Sequence, residues 1–234
     1  MNIVITGGSK GIGKALAEKY ATSGNNIYIC ARSENELNIT AREIKENNGS
    51  VKVEYYAADL SVKDSAVKIS EWLCRQQVIP DILINNAGQF LPGSIYDEEE
   101  GILEKMIEVN LYSAYYLTRS LLPSMIKIKS GHIINMCSIA SLNAYANGGS
   151  YSVSKYALMG FSKNLREELK PYNIKVTSVY PGSVYTDSWA GTVIDPERIM
   201  EVNDIAEMVY AATCLSPKAC VDDIIIRPQL GDLP

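Results

Sequence analysis

The sequence predicts a doubly wound α/β architecture: a mostly parallel, seven-stranded sheet with helices on both faces. Three observations carry this reading. Short β-branched runs alternate with longer segments of helical period, the signature of repeated βαβ units. With 47% hydrophobic and 21% charged residues, the chain can bury a sizeable core. No internal repeat, low-complexity tract or Pro/Gly-rich linker divides it, so residues 1–234 are expected to fold as one domain.

The elements follow in order. Asn2-Ile3-Val4-Ile5-Thr6 opens the chain as a strand, and a helix of period 3.6 follows over 11–23. A second strand over 26–31 leads to a helix over 34–47, and a third over 51–57 to a helix over 62–76. Ile82-Leu83-Ile84 marks a strand over 81–85, followed by a long helical pattern over 99–128. The fifth strand, 132–137, is answered by a helix over 150–170, and the sixth, 174–180, by one over 203–215; Ile224-Ile225-Ile226 closes the sheet within 222–227. The least regular stretch, 183–203, is a candidate lid.

A net charge of -5, with both signs interspersed, provides no basic stripe to track a phosphate backbone, so nucleic acid is not an expected partner. The start, MNIVITGG, has neither a charged leader nor a cleavage site, and no run reaches the roughly 18 apolar residues of a membrane span. Five scattered cysteines sit mostly in apolar runs, which reads as a reduced, cytoplasmic setting. With one histidine and no CxxC pair, there is no metal-ligand cluster, so the chemistry must come from other groups.

In an open α/β sheet, ligands bind outside the carboxyl ends of the strands. Unusual residues collect there: Gly7-Gly8 after the first strand, Asp59 after the third, Asn85-Asn86-Ala87-Gly88 after the fourth, Ser138 after the fifth and Pro181-Gly182 after the sixth. Turn chemistry explains any one of these; five on one edge define a site hypothesis.

Thr6-Gly7-Gly8-Ser9-Lys10-Gly11-Ile12-Gly13 follows a strand and opens a helix, where absent side chains let the backbone approach a pyrophosphate. A purely structural turn is the competing reading, since the spacing is G-x-x-x-G-x-G rather than G-x-G-x-x-G. Sites that prefer NAD place an acidic residue about 20 positions further on. Here the segment reads Ile29-Cys30-Ala31-Arg32-Ser33, without a carboxylate. Arg32 and Lys10 can instead hold a 2′-phosphate, which favours NADP(H); the alternative is two solvated surface charges.

Tyr151 and Lys155, four residues apart near a helix start, share one face. A free tyrosine, with a pKa of about 10, is a poor base unless a nearby cation stabilises the phenolate. A tyrosine packed under a lysine stem would match the same pattern. Ser138 can point its hydroxyl at a substrate carbonyl or simply bond its own backbone. Asn110 lies in an otherwise apolar helical run, where asparagine is a local misfit: a functional residue, or one satisfied by neighbouring backbone.

Taken together, these motifs resemble those of the short-chain dehydrogenases/reductases of the compact, Rossmann-like kind, along nearly the whole chain. The resemblance implies that Gly7, Ser9, Lys10, Gly11, Ile12 and Gly13 cradle the cofactor phosphates, with Arg32 beside them and Asp59 and Leu60 near the adenine. It places Asn86, Ala87 and Gly88 along the dinucleotide, and Tyr151, Lys155, Pro181, Gly182 and Thr186 at its nicotinamide end. Asn110, Ser138, Tyr151 and Lys155 correspond to the catalytic four. Hydride then passes between nicotinamide and a carbonyl carbon while Tyr151 exchanges a proton with the oxygen. By the same resemblance, Lys155 lowers the tyrosine pKa and bonds the nicotinamide ribose, Ser138 orients the carbonyl, and Asn110 holds a water linking Lys155 to solvent. The apolar faces of helices 99–128 and 150–170 imply a homodimer or homotetramer.

Two features depart from the family pattern. The stretch after Pro181-Gly182 holds little that is large besides Trp189, which points to an open pocket, and the last strand lacks the glycine pair that follows it in relatives resembling acyl-carrier reductases. A small-molecule carbonyl or alcohol is the expected substrate, with Phe90, Leu142, Tyr145 and Trp189 as candidate walls or as core or interface residues. His132 is read as structural. Two other classes remain: a redox-sensing regulator that binds NADP(H) without turnover, and an epimerase or dehydratase with no net redox change. The retained catalytic four speak against the first, and the absence of a longer C-terminal substrate region against the second.

Overall fold

The central strands are apolar at consecutive positions, so they must be covered on both faces. The computed structural model, which describes residues 1–186 and 195–232, meets this demand with seven strands between two layers of helix. The strands are β1 (Asn2–Thr6), β2 (Asn26–Ala31), β3 (Val53–Ala57), β4 (Ile82–Asn85), β5 (Gly131–Met136), β6 (Ile174–Pro181) and β7 (Asp223–Ile226). The helices are α1 (Gly11–Thr22), α2 (Glu34–Asn47), α3 (Lys63–Arg75), α4 (Ile102–Ile107), α5 (Ser113–Ile128), α6 (Gly149–Leu169) and α7 (Val202–Thr213). The sheet order is β3-β2-β1-β4-β5-β6-β7 and every neighbouring pair is parallel, so the sequence-derived fold class holds.

Successive strand side chains point to opposite faces, which builds two cores from one sheet. Ile3, Ile5, Ile27 and Ile29 pack with Leu16 and Tyr20 of α1 and Ile205 and Val209 of α7. Val4, Leu83, Ile133 and Val176 pack with Ile69 and Trp72 of α3, Leu117, Leu121 and Met125 of α5, and Leu165 of α6. Each such aliphatic group, fully buried, contributes about 1.5–3 kcal/mol. A polar seam crosses the second layer: Asn85 Nδ2 donates to Thr118 Oγ1 (3.0 Å) and Asn135 Oδ1 (2.8 Å), and Asn135 Nδ2 to Ser162 Oγ (3.0 Å), which lies 2.7 Å from Ser178 Oγ. The seam pins α5 and α6 to the centre of the sheet through directional bonds that apolar packing alone does not supply.

The helix expected over 99–128 is the main correction. It begins at Ile102, after Gly101 in the left-handed region (φ 87°), and a π-helical turn at Glu108–Tyr112 separates α4 from α5. The expected lid, 183–203, falls partly on 187–194, outside the described residues, as does Trp189. Its two ends meet: Tyr185 N donates to Met200 O at 2.8 Å and Met200 N to Ser183 O at 3.1 Å.

Candidate active site

The strand order reverses between β1 and β4, and a crevice must open at their carboxyl ends. A cleft of about 450 Å³ lies there. Gly7, Ser9, Lys10, Gly11 and Ile12 form one wall; Arg32, Asp59 and Leu60 line the end beyond β2 and β3; Asn86, Ala87, Gly88 and Thr186 line the rest. Twelve of the residues expected to hold a dinucleotide thus surround one cavity.

The loop geometry explains the glycines. Gly7 and Gly11 have φ of +64° and +54°, a region open to glycine at little cost. Gly13 does not line the cleft: a Cβ there would lie 2.1 Å from Gly7 O and 2.6 Å from Asn86 Nδ2, so its role is close packing. Thr6 locks the loop to the end of β4, its Oγ1 accepting from Asn86 N (2.9 Å) and Ala87 N (2.8 Å), while Asn86 Nδ2 donates to Thr6 O (3.0 Å) and Gly7 O (3.2 Å). Bare backbone at the N-terminus of α1, with two basic side chains beside it, fits a phosphate-bearing dinucleotide. Among the described residues, no group of His, Cys, Asp and Glu side chains could hold a metal ion.

Sequence reasoning missed Ser33, Glu36 and Ser61 in this lining. Ser33 and Glu36 have the spacing of a helix-capping pair, and Ser33 Oγ does accept from Glu36 N at 3.3 Å. The Glu36 carboxylate, however, accepts from Ser9 Oγ at 3.3 Å and so joins the cleft. Asp59 Oδ1 accepts from Ser61 N (3.0 Å) and Ser61 Oγ (2.8 Å), which fixes the turn after β3.

The four residues expected to be catalytic converge at one end of the cleft. Two of them meet at Gly88, where a Cβ would lie 3.0 Å from Asn110 Oδ1 and 3.5 Å from Lys155 Nζ. Asn110 sits on the π-helical turn, whose extra residue turns it inward, and it is fully buried. Its Oδ1 accepts from Gln89 N (2.7 Å), and its Nδ2 donates to Gln89 O (3.0 Å) and Ser154 Oγ (2.9 Å). Lys155 Nζ donates to Met136 O at 2.8 Å and stands 5.9 Å from the Tyr151 ring centre. Ser138 follows β5 and caps the short turn Ile139–Ser141, its Oγ accepting from Ala140 N at 3.1 Å. The backbone-bonding reading of this serine is met, and its hydroxyl also stands beside the Tyr151 phenol.

The electrostatics depart from expectation. Burial pushes the Tyr151 phenol up to about 12; the neighbouring Ser138 hydroxyl pulls it back only in part. Burial also lowers Lys155 to about 8. A Lys155 cation was expected to bring the phenol down; instead burial is the dominant influence and Tyr151 holds its proton. Phe90 packs edge-on against the Tyr151 ring (4.9 Å between centres, 80° between planes), which suits a pocket wall, whereas Leu142 packs on the small core around Cys137 and Tyr180. Pro181 ends β6, and Gly182 N donates to Ile226 O at 2.8 Å; both lie outside the cleft lining. His132 is buried, its Nε2 2.7 Å from Thr177 Oγ1, and burial lowers its pKa to about 4.

Comparison with known proteins agrees with this geometry. Residues 1–196 match the short chain dehydrogenase family. The chain is 32% identical over 225 residues to an uncharacterised oxidoreductase of Staphylococcus saprophyticus, covering 96% of each. It is similar in structure to an alcohol dehydrogenase from the archaeon Thermococcus sibiricus, complexed with 5-hydroxy-NADP (TM-score 0.92, 26% identity, 100% of this chain and 98% of that one). It is also similar to the L-sorbose reductase of Gluconobacter frateurii, complexed with NADPH and L-sorbose (TM-score 0.89, 28% identity, 97% and 95%). By its parallel sheet, its glycine-lined cleft and this likeness along its length, the chain belongs to the short-chain dehydrogenase family, NAD(P)-binding oxidoreductases that act on CH–OH groups.

Proposed function

We propose that the protein is an NADP(H)-dependent reductase and dehydrogenase that interconverts a small-molecule ketone or aldehyde and its alcohol, with Tyr151 as the acid and base. The observation that carries this reading is the grouping of Asn110 and Lys155 against Gly88 of the cleft lining, with Lys155 Nζ 5.9 Å from the Tyr151 ring centre and the Ser138 hydroxyl beside the Tyr151 phenol. A bound nicotinamide dinucleotide supplies the hydride. Tyr151 holds its proton at neutral pH and gives it to the oxygen of a carbonyl under reduction. Ser138 orients that oxygen by a hydrogen bond. Lys155, charged below about pH 8, stabilises the phenolate left behind and bonds the nicotinamide ribose. Asn110 holds α6 in place and positions a water on the path from Lys155 to solvent.

NADP(H) is favoured because Lys10 and Arg32 both line the cleft, and both similar solved structures are complexes with NADP-type nucleotides. Asp59 and Leu60 face the adenine, while Pro181, Gly182 and Thr186 border the nicotinamide. Exposed Tyr112 on the π-helical turn, and Val153 and Tyr156 on α6, support assembly into a homodimer or homotetramer.

The test is NADPH oxidation over a panel of aldehydes, ketones, diketones and 3-oxo acids, run beside NADH and beside Tyr151→Phe. Turnover that prefers NADPH and falls at least about a thousandfold in Tyr151→Phe is the expected result. Full turnover by Tyr151→Phe would remove Tyr151 as the acid. Stoichiometric NADPH binding with no turnover on any substrate would favour a nucleotide-sensing regulator.

A further inference from the structure

We propose that Glu98 is a positioning residue for Tyr151: its carboxylate, reaching over from the segment after β4, caps the helix that carries the tyrosine. The inference rests on the proposed reductase chemistry and deepens it.

Helix α6 begins without a cap of its own. Its N-cap is Gly148, no side chain of that residue bonds the first turn, and the first turn contains no acidic residue. The N–H groups of a first turn have no partner inside the helix, and they carry partial positive charge that a carboxylate satisfies. Glu98 supplies that carboxylate from 52 residues away: Ser150 N donates to Oε2 at 3.3 Å, and the Ser150 hydroxyl donates to Oε1. Ser150 is buried and is the residue immediately before Tyr151.

Close approach depends on Gly149, which has φ +39° and where a Cβ would lie 2.4 Å from Gly93 O and 2.9 Å from Glu98 Oε2. The same segment is anchored twice more, by Gly93 N donating to Asn147 O (3.1 Å) and Ser94 Oγ to Asn147 Oδ1 (2.9 Å). It also carries Phe90, which packs on the Tyr151 ring. One stretch of chain therefore holds Tyr151 from both sides, its backbone through Ser150 and its ring through Phe90. None of Gly93, Ser94 and Glu98 lines the nucleotide cleft. Loss of the clamp therefore moves the phenol relative to Ser138 and leaves nucleotide binding intact.

The experiment compares Glu98→Gln and Glu98→Ala in the full chain. Misplacement of an acid by about 1 Å costs about a hundredfold in rate, so kcat is expected to fall about a hundredfold in Glu98→Ala. Glu98→Gln keeps an acceptor for the Ser150 hydroxyl but turns an amide N–H₂ toward Ser150 N, and kcat should fall about tenfold. The NADPH Kd should stay within about twofold in both. Hydrogen exchange at Ser150–Ser152 in the NADPH complex should quicken about tenfold in Glu98→Ala, a readout that needs no turnover. If kcat is unchanged or exchange is unchanged, the proposal is overturned; so too if kcat, NADPH affinity and melting temperature all fall together, the mark of a merely structural role. Retained turnover in Tyr151→Phe instead overturns the reductase chemistry, whatever Glu98 does. Loss of turnover in Tyr151→Phe with wild-type kcat in Glu98→Ala sinks the clamp alone.

Discussion

Asn110 Nδ2 donates to Ser154 Oγ at 2.9 Å, and Ser154 Oγ in turn donates to the main-chain oxygen of Tyr151 at 2.7 Å. The π-helical turn is thus tied to the backbone of the residue that carries the acid. Together with the two bonds to Gln89, this makes Asn110 the hub between the end of β4 and α6.

Asn110→Ala strips partners from Gln89 N, Gln89 O and Ser154 at a fully buried position. Each stranded group costs about 1–3 kcal/mol, so a loss of about 3 kcal/mol or more is expected, together with a large fall in kcat. Urea unfolding measures the first and NADPH oxidation the second. A variant of wild-type stability would mean that water replaces all three bonds.

The central strands were legible because a strand covered on both faces must be apolar throughout, as Ile3-Val4-Ile5 and Ile82-Leu83-Ile84 are, whereas the order of the strands was not read. Asn110 was legible as a misfit in an apolar helical run. Its π-helical turn was not, because one extra residue shifts a 3.6 period too little to see over 99–128. Tyr151 and Lys155 are four apart on one helix, so their pairing could be read; the burial that shifts both pKa values could not. Glu36 was hidden behind a capping pattern it also satisfies. Glu98 was hidden by distance, since no local pattern links it to Ser150 52 residues on.

Gly13 provides a test of the loop that does not touch the cleft. A Cβ at 2.1 Å from Gly7 O cannot be relieved by a side-chain rotation, because the obstacle is backbone. Gly13→Ala should shift the Gly7 carbonyl, raise the NADPH Kd at least about tenfold and leave helix content unchanged by circular dichroism. An unaltered Kd would show that the loop yields elsewhere.

His132 should contribute to acid unfolding. Burial lowers its pKa from 6.5 to about 4, so between those values the unfolded chain binds the proton that the folded chain refuses. The folded state is then favoured above about pH 6.5, and this contribution is lost as pH falls towards 4, with a full amplitude on the order of 3 kcal/mol. Thermal melts from pH 7 to 4 should show a steeper decline in the wild type than in His132→Gln, whose amide can still bond Thr177. Parallel curves would assign the acid sensitivity to carboxylates.

Lys155 sets the alkaline limb of reduction. Its ammonium group, bonded to Met136 O, loses its proton at about pH 8 because burial disfavours the charge, whereas Tyr151 keeps its proton to about 12. As pH rises past 8, therefore, the acid is still present while the cation that stabilises its conjugate base disappears. kcat/KM for NADPH, which reports groups in the free enzyme, should accordingly fall about tenfold per pH unit above about 8. Lys155→Met should be slow at every pH and show no inflection there. A wild-type limb near 10 or higher would reverse the assignment: Lys155 would then keep its charge in the folded chain, and the loss of activity would belong to Tyr151.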